Sequence, residues 1–115
     1  MTTSISTGLA KALLDTGSMR TNLTGAKLRI YAGTVPVSAD AATGVGTTAT
    51  LLCTVSDASG ADALTFETAA IDNVLEKTAG QTWSGVNAAT GVATFFRFEM
   101  AGDAGGASTS AIRIQ

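Results

Sequence analysis

Carboxylates are the side chains in this sequence that offer acid–base chemistry, because the chain contains no histidine. A Ser-His-Asp or Cys-His arrangement and a His-ligated metal site are therefore impossible from this chain alone. The candidate acid–base pairs are Glu67 with Glu76 and Glu99 with Asp103. Nothing in their spacing places two carboxylates across a cleft, so we predict solvated side chains and no catalytic residue.

Two other patterns could hold an ion or a phosphate. Asp57 and Asp62 lie in "SDASGAD", and Asp72 and Asp103 lie in other loops, but the four lack the twelve-residue spacing of a calcium loop. The stretch "TGVGTT" at 43–48 lacks the Gly-Lys-Ser/Thr of a phosphate-binding loop. We therefore predict solvated turn carboxylates and an ordinary turn, with neither a metal nor a cofactor site.

Three single side chains have a structural and a functional interpretation. Cys53 is the only cysteine, so an intrachain disulfide is excluded, and its setting in "TLLCTV" favours a buried small apolar residue. Trp83 and Tyr31 could form an aromatic platform for a sugar. A large ring in an Ala-rich core is more simply a packing anchor, which is the interpretation we prefer.

Composition and charge limit the fold and the partners. A chain of 115 residues is one domain, and its 45% hydrophobic content relies heavily on alanine, which predicts a thin core. Its seven Lys and Arg residues are scattered from Lys11 to Arg113, so nucleic-acid binding is not expected. No apolar run approaches the roughly 20 residues of a membrane span, and the N-terminus does not resemble a signal peptide. We expect a protein made in the cytosol.

The first twenty-odd residues have the pattern of a short helix. Ile5, Leu9 and Leu13 recur every four residues, and Leu14 widens the apolar face. Gly17 is placed as a left-handed C-cap residue. The candidate N-cap residues are Ser4, Ser6 and Thr7. So short a helix needs support for its apolar stripe, either from its own sheet or from another subunit.

From Lys27 onward the hydrophobic period changes to two, which indicates strands. The alternating segments are 28–31, 51–55, 95–100 and 112–114. The segment "WSGVNAATGVATFF" predicts a hairpin with a tight loop at 87–91, and 64–66 with 74–77 could form a second hairpin. The resulting fold class is mainly β, an antiparallel β-sandwich or open barrel with one short N-terminal α-helix. We divide the single domain into a helical arm, 1–24, and a β-domain, 25–115.

The stretch "LRIYAGTVPVSADAATG" at 28–44 combines a strand with an irregular tail. The strand runs over 28–32 and Gly33 ends it, while Pro36 biases Val35 toward extended geometry and keeps the segment off a central ladder. We expect the tail to be a structured edge loop, with Asp40 forming a local turn.

Several segments resemble a family of small tailed-phage and prophage proteins, described mostly as virion structural proteins. They are "GLAKALLDTG", "LRIYAGTVPVSADAATG", "TLLCTVS", "EKTAGQTWSGVNAATGVATFFRF" and "GDAGGASTSAIRIQ". The resemblance implies a non-enzymatic virion component, first a capsid decoration or cement protein and second a neck or tail protein. Family members continue beyond "RIQ" with a Gly-rich turn and two strands, so we expect either a partial chain or a form without those strands.

The expected partners are other copies of the chain and other virion proteins, above all the major capsid protein, with neither nucleic acid nor membrane. The expected location is the virion. We predict contacts with a neighbouring subunit through the helix and edge pairing through the last strand. The candidate interaction residues are Ile5, Leu9, Leu13, Leu14, Ile112, Arg113 and Ile114. A carbohydrate- or host-surface-binding module, using Trp83 and Tyr31, is an alternative of a different class.

Overall fold

The computed structural model describes residues 2–115 as an open antiparallel sheet with two short helices. The helices are α1 (Thr7–Asp15) and α2 (Met19–Leu23). The strands are β1 (Ala26–Gly33), β2 (Ala49–Asp57), β3 (Trp83–Asn87), β4 (Phe95–Met100) and β5 (Arg113–Ile114). The predicted mainly β, antiparallel class is confirmed. Where the sequence left a sandwich and an open barrel as alternatives, the described residues form one open sheet.

The strand order is β3-β2-β1-β4-β5, with every neighbouring pair antiparallel. β1 is the central strand and pairs with β2 and β4, and its register with β2 shifts between Ile30 and Tyr31. The predicted hairpin of β3 with β4 is wrong, because β2 and β1 lie between these strands. The loop residues 88–94 therefore cross the end of the sheet to reach β4 on the other side of β1.

The residues between β2 and β3 make only short pairings. Leu64 is fully buried and bridges to Ala26, at the start of β1. Phe66 bridges to Lys77 in antiparallel fashion, and Glu67 N–H donates to the Glu76 carbonyl over 2.9 Å. The antiparallel approach predicted for 64–66 and 74–77 is present, but neither segment forms a strand.

Helix α1 begins and ends at residues that the sequence indicates. The Ser6 hydroxyl accepts a hydrogen bond from Leu9 N–H at 3.1 Å, which makes Ser6 the N-cap. Gly17, with φ +154°, follows the C-cap residue Thr16 and donates to the Ala12 carbonyl. Helix α2 was not predicted, because its five residues are too few for an apolar period to show.

The N-terminal segment is tied to the last strand. Ser4 and Gln115 exchange two backbone hydrogen bonds, and Ser6 N–H donates to the Arg113 carbonyl. Ile5 bridges to Ile114. The chain itself therefore occupies the outer edge of β5, whereas the sequence predicted that Ile112–Ile114 would offer this edge to another chain. Helix α1 follows directly and packs against its own sheet.

Among residues 2–115, no helix is long and apolar enough to cross a membrane.

The contact between α1 and the β5 region depends on the absence of a side chain at Gly8. A Cβ at this buried position would lie 2.5 Å from the backbone of Ser110 and Ala111. Gly8→Ala should lower the free energy of unfolding by about 1–2 kcal/mol, since the overpacking outweighs the better helix propensity of alanine. Urea denaturation measures this change.

The matched control is Gly80→Ala, at a loop position with no atom within 4 Å of the added Cβ. This variant should unfold at nearly the wild-type urea concentration. Equal midpoints for the two variants would show that α1 does not pack closely on the C-terminal segment.

Candidate functional site

The buried face of β4 carries charge, and its opposite face is apolar. Arg97 and Glu99 are both 0% exposed, and they alternate with Phe96 and Phe98, which are half-buried. The prediction that Glu99 is solvated is therefore wrong. Buried charges are tolerated only when they are paired and hydrogen-bonded, so the partners of these groups determine what the site can do.

Arg113 of β5 and Asp103 form the strongest ion pair of the cluster. Arg113 Nε and Nη2 donate to the two carboxylate oxygens of Asp103 over 2.6 and 2.7 Å. These two hydrogen bonds hold the pKa of Asp103 below its usual range, and they raise the pKa of Arg113. Asp103 is thus a buried anchor, where the sequence predicted a solvated loop carboxylate.

Glu99 is held by a second arginine and by the only tyrosine. Arg29 Nη1 donates to Glu99 Oε1 over 2.6 Å, and the Tyr31 hydroxyl donates to the same oxygen over 3.2 Å. Burial, together with the negative charge of Glu99, raises the pKa of Tyr31 to about 12. The second oxygen, Oε2, accepts no hydrogen bond within residues 2–115 but lies 3.9 Å from Arg113 Nε.

Arg97 is fully buried without a carboxylate partner of its own. Its Nε donates to Gln115 Oε1 over 2.9 Å, and its Nη1 has no hydrogen-bond partner in the described chain. Burial, followed by the nearby positive charge of Arg113, lowers the pKa of Arg97. Its positive charge is stabilised by the nearby charge of Glu99 and by hydrogen bonds to backbone carbonyls.

Those carbonyls belong to the loop 34–48, which connects β1 to β2. Arg97 Nη2 donates to the carbonyls of Ser38 and Ala41, and Arg113 Nη1 donates to that of Ala39. Gln115 Nε2 donates to the Pro36 carbonyl over 2.9 Å. The loop is therefore structured, as predicted, and side chains of β4 and the C-terminal segment hold it in place.

Asp40 of this loop caps helix α1. Its Oδ1 accepts from Thr7 N–H over 2.8 Å, and its Oδ2 accepts from the Thr7 hydroxyl. Both bonds hold the pKa of Asp40 below its usual range. Asp40 also lies in a local turn, as predicted, because Ala41 N–H donates to the Ser38 carbonyl over 3.1 Å. Its side chain contacts the helix, 33 residues earlier in the chain.

The cluster is suited to holding loops together. Glu99 and Asp103 are both engaged by arginines, so both carboxylates are used in contacts within the chain. A cavity of about 160 Å³ is lined by Arg29, Tyr31, Glu99 and Asp103.

The other candidates from the sequence lie apart from this cluster. Within residues 2–115, no three Cys, Asp or Glu side chains approach closely enough to hold a metal ion. At "TGVGTT" the Gly44 carbonyl accepts from the N–H groups of Thr47, Thr48 and Ala49, so the predicted turn is confirmed. Cys53 is buried, as predicted.

Tyr31 and Trp83 do not form a shared aromatic surface. Tyr31 is 3% exposed and stacks on Phe95, with ring centroids 4.8 Å apart. Trp83 packs against Phe66 and Phe98, with centroids at 5.5 and 6.3 Å. Each ring acts as the packing anchor that the sequence favoured.

The opposite side of the sheet carries an apolar groove. It has a volume of about 400 Å³ and lies across β1 and β4. Its main lining side chains are Leu28, Ile30 and Phe96, all of them half-buried. We call this feature the outer groove. These residues do not stand out as a surface in the sequence, since they belong to the same apolar alternation as the core residues.

The predicted interaction residues are divided between interior and surface. Leu9 and Arg113 are buried within the chain and are closed to a neighbouring subunit. Leu14 is 92% exposed and Ile5 is 45% exposed. The half-buried members are Leu13, Ile112 and Ile114.

Comparison with known proteins gives no match, whether with protein-family models, curated proteins or solved structures.

The only tyrosine makes the buried cluster directly measurable. An absorbance titration at the phenolate band should show Tyr31 ionising near pH 12 in the folded protein, and near the ordinary value of about 10 in urea. The contribution of the protonated Tyr31 hydroxyl to the free energy of unfolding is fully present below about pH 10, and it is lost as the pH rises toward the folded-state pKa. A folded-state titration at the ordinary value would contradict the buried contact with Glu99.

The ion pair predicts acid sensitivity. Because the folded pKa of Asp103 is lowered, the stability from its charge is complete above the unfolded pKa of about 4 and is lost as pH falls further. Asp103→Asn should remove about 3 kcal/mol at neutral pH, as expected for breaking a buried pair.

Urea midpoints measured between neutral and acidic pH test this expectation. The variant should lose less stability on acidification than the wild type. Asp62→Asn, at an exposed loop position, is the control and should follow the wild-type curve. Parallel curves for Asp103→Asn and the wild type would exclude a lowered Asp103 pKa.

Proposed function

We propose that this chain is a non-enzymatic structural component of a tailed-phage particle, in the first place a decoration protein that binds the capsid lattice. One observation carries the proposal: Arg97, Glu99 and Arg113 are buried on the covered face of the sheet, while the opposite face carries the apolar outer groove of Leu28, Ile30 and Phe96. A surface of this kind favours contact with another protein over chemistry.

The distribution of charge supports the same function. Arg29, Arg97 and Arg113 are committed to contacts inside the chain. The remaining four Lys and Arg residues are scattered, which offers no basic stripe for nucleic acid. The outer groove has almost no polar lining, so it lacks the groups that would orient a small substrate.

Two of the segments that resemble phage virion proteins contribute to the outer groove and to the loop 34–48 on the covered face. "LRIYAGTVPVSADAATG" forms most of β1 and the loop held by the arginines, and "ATFFRF" contributes Phe96 and Arg97. The resemblance and the geometry therefore concern the same residues, which supports a virion role. A neck or tail position would use the same surface and is the second candidate.

A glycan-binding role has less support. The aromatic platform that it requires is absent from the described chain, since Tyr31 is buried against Phe95. Glycan arrays and binding to isolated capsids separate the two functions directly.

The outer groove gives the test of the virion role. Phe96→Glu places a charge in the groove and should weaken retention on phage capsids prepared without the protein by at least about tenfold, as for a central interface residue. Co-sedimentation with capsids, and separately with tails, measures retention. The alkaline titration of Tyr31 reports whether the variant is folded.

Val37→Glu is the matched control, because Val37 is 97% exposed and lies in the loop 34–48, outside the groove lining. It should be retained like the wild type. Binding to tails alone would transfer the role to the tail, and wild-type protein that binds neither particle would refute the proposal.

A further inference from the structure

The β3 edge of the sheet, Trp83–Asn87, has a definite hydrogen-bonding pattern. At one end of its ladder with β2, Ala88 N–H donates to the Leu52 carbonyl over 2.7 Å. At the other end, Ala58 N–H donates to the Thr82 carbonyl over 2.7 Å. In an antiparallel ladder, alternate residues face the partner. Ser84 and Val86 therefore direct their backbone groups toward β2, and Trp83, Gly85 and Asn87 direct theirs outward.

These outward groups have no partner within the described chain. No backbone hydrogen bond of residues 2–115 involves the N–H or the carbonyl of Trp83, Gly85 or Asn87 outside the ladder with β2. The situation at the opposite edge is different, because Ser4–Ser6 covers β5. At that edge only Ile5 directs backbone groups outward, so the longer open edge of the described sheet is that of β3.

The open edge lacks the features that usually prevent strand addition. Between Trp83 and Asn87 there is no charged residue and no proline. Gly85, Val86 and Asn87 are exposed, with Val86 at 73%. A strand is the one structure that can pair with such a row of backbone groups, so the chemistry of the edge defines the kind of partner.

We propose that the β3 edge pairs with the β3 edge of a second copy of this chain, antiparallel and centred on Gly85. In this register Gly85 pairs with its own counterpart, and Trp83 pairs with Asn87 of the other copy. Every outward residue is then matched, and each pair exchanges two hydrogen bonds. The edge is neutral, so no like charges oppose each other, and Val86 meets the small Ser84 of the other copy.

A second copy suits this edge better than a strand of another sequence, because in this register every outward residue of β3 pairs with an outward residue of an identical strand. The interface is short and should be weak in isolation. This inference is independent of the proposed virion role, since it concerns the purified protein alone. It differs from the sequence-based expectation, which assigned edge pairing to Ile112–Ile114.

Sedimentation equilibrium over a range of protein concentrations tests the proposal. The wild type should associate reversibly to a dimer. Asn87→Pro removes one outward N–H and leaves the bonds to β2 intact, and Val86→Lys puts a charge on the edge. Asn87→Pro should weaken dimerisation by about tenfold, the effect of losing one or two hydrogen bonds. Val86→Lys should weaken it by a similar factor of about ten, because the lysines of the two copies lie on diagonal positions of the same face and repel each other.

Val92→Lys is the matched control, since Val92 is 81% exposed but lies in the loop after β3, off the edge. It should dimerise like the wild type. Gly85 itself is unsuitable for substitution, because a Cβ there would lie 2.5 Å from the Thr54 carbonyl oxygen. If Asn87→Pro is not folded by the Tyr31 titration, Val86→Lys decides.

Amide hydrogen exchange locates the contact. The N–H groups of Trp83, Gly85 and Asn87 should exchange more slowly as protein concentration rises, while those of Ser84 and Val86 change little. A monomeric wild type at every concentration would overturn the proposal. So would dimerisation that the edge variants leave unchanged, or concentration-dependent protection confined to other residues.

Discussion

The ion pair between Arg113 and Asp103 is the interaction on which the remaining structure depends. A buried guanidinium must be neutralised and its donors must be satisfied. Arg113 meets this requirement through the two oxygens of Asp103 and the carbonyls of Ala39 and Gly106. The same residue receives the N-terminal segment, because its carbonyl accepts from Ser6 N–H. One side chain and its backbone thus bring three distant parts of the chain together.

Arg97 and Arg113 are buried beneath the loop 34–48, and this determines which side chains lie on the other face of the sheet. Phe96 and Phe98 of β4 must lie opposite Arg97 and Glu99, since neighbouring residues of a strand point to opposite faces. Phe66, Phe98 and Trp83 cover part of that face through their ring contacts. Leu28, Ile30 and Phe96 remain half-buried, so the outer groove is the counterpart of the charged core.

Sequence patterns predicted the elements of this fold better than their arrangement. The period of two located β1, β2 and β4, and the capping residues located α1, because both signals are local. The inward face of β4 could not be chosen in the same way, since "FFRFEM" places aromatic residues on both faces. One sequence feature could have indicated the inward face: charged residues recur at alternate positions of β4, and Arg113 carries a further charge in β5. The role of Asp40 depends on a helix 33 residues away, which no local pattern reports.

Covering one sheet edge and leaving the other open determines what kind of assembly the sheet can form. If both edges were open, β3 of one copy could pair with β5 of the next, and such a heterologous contact propagates into a fibre. Ser4–Ser6 prevents this by occupying β5 through four hydrogen bonds involving Ser4, Ser6, Arg113 and Gln115. In the proposed dimer the contact joins two identical β3 edges, and such a contact uses up both of them. By leaving only Ile5 with outward backbone groups at the β5 edge, the N-terminal segment favours the proposed β3–β3 contact, which closes after a single step, over a contact that repeats.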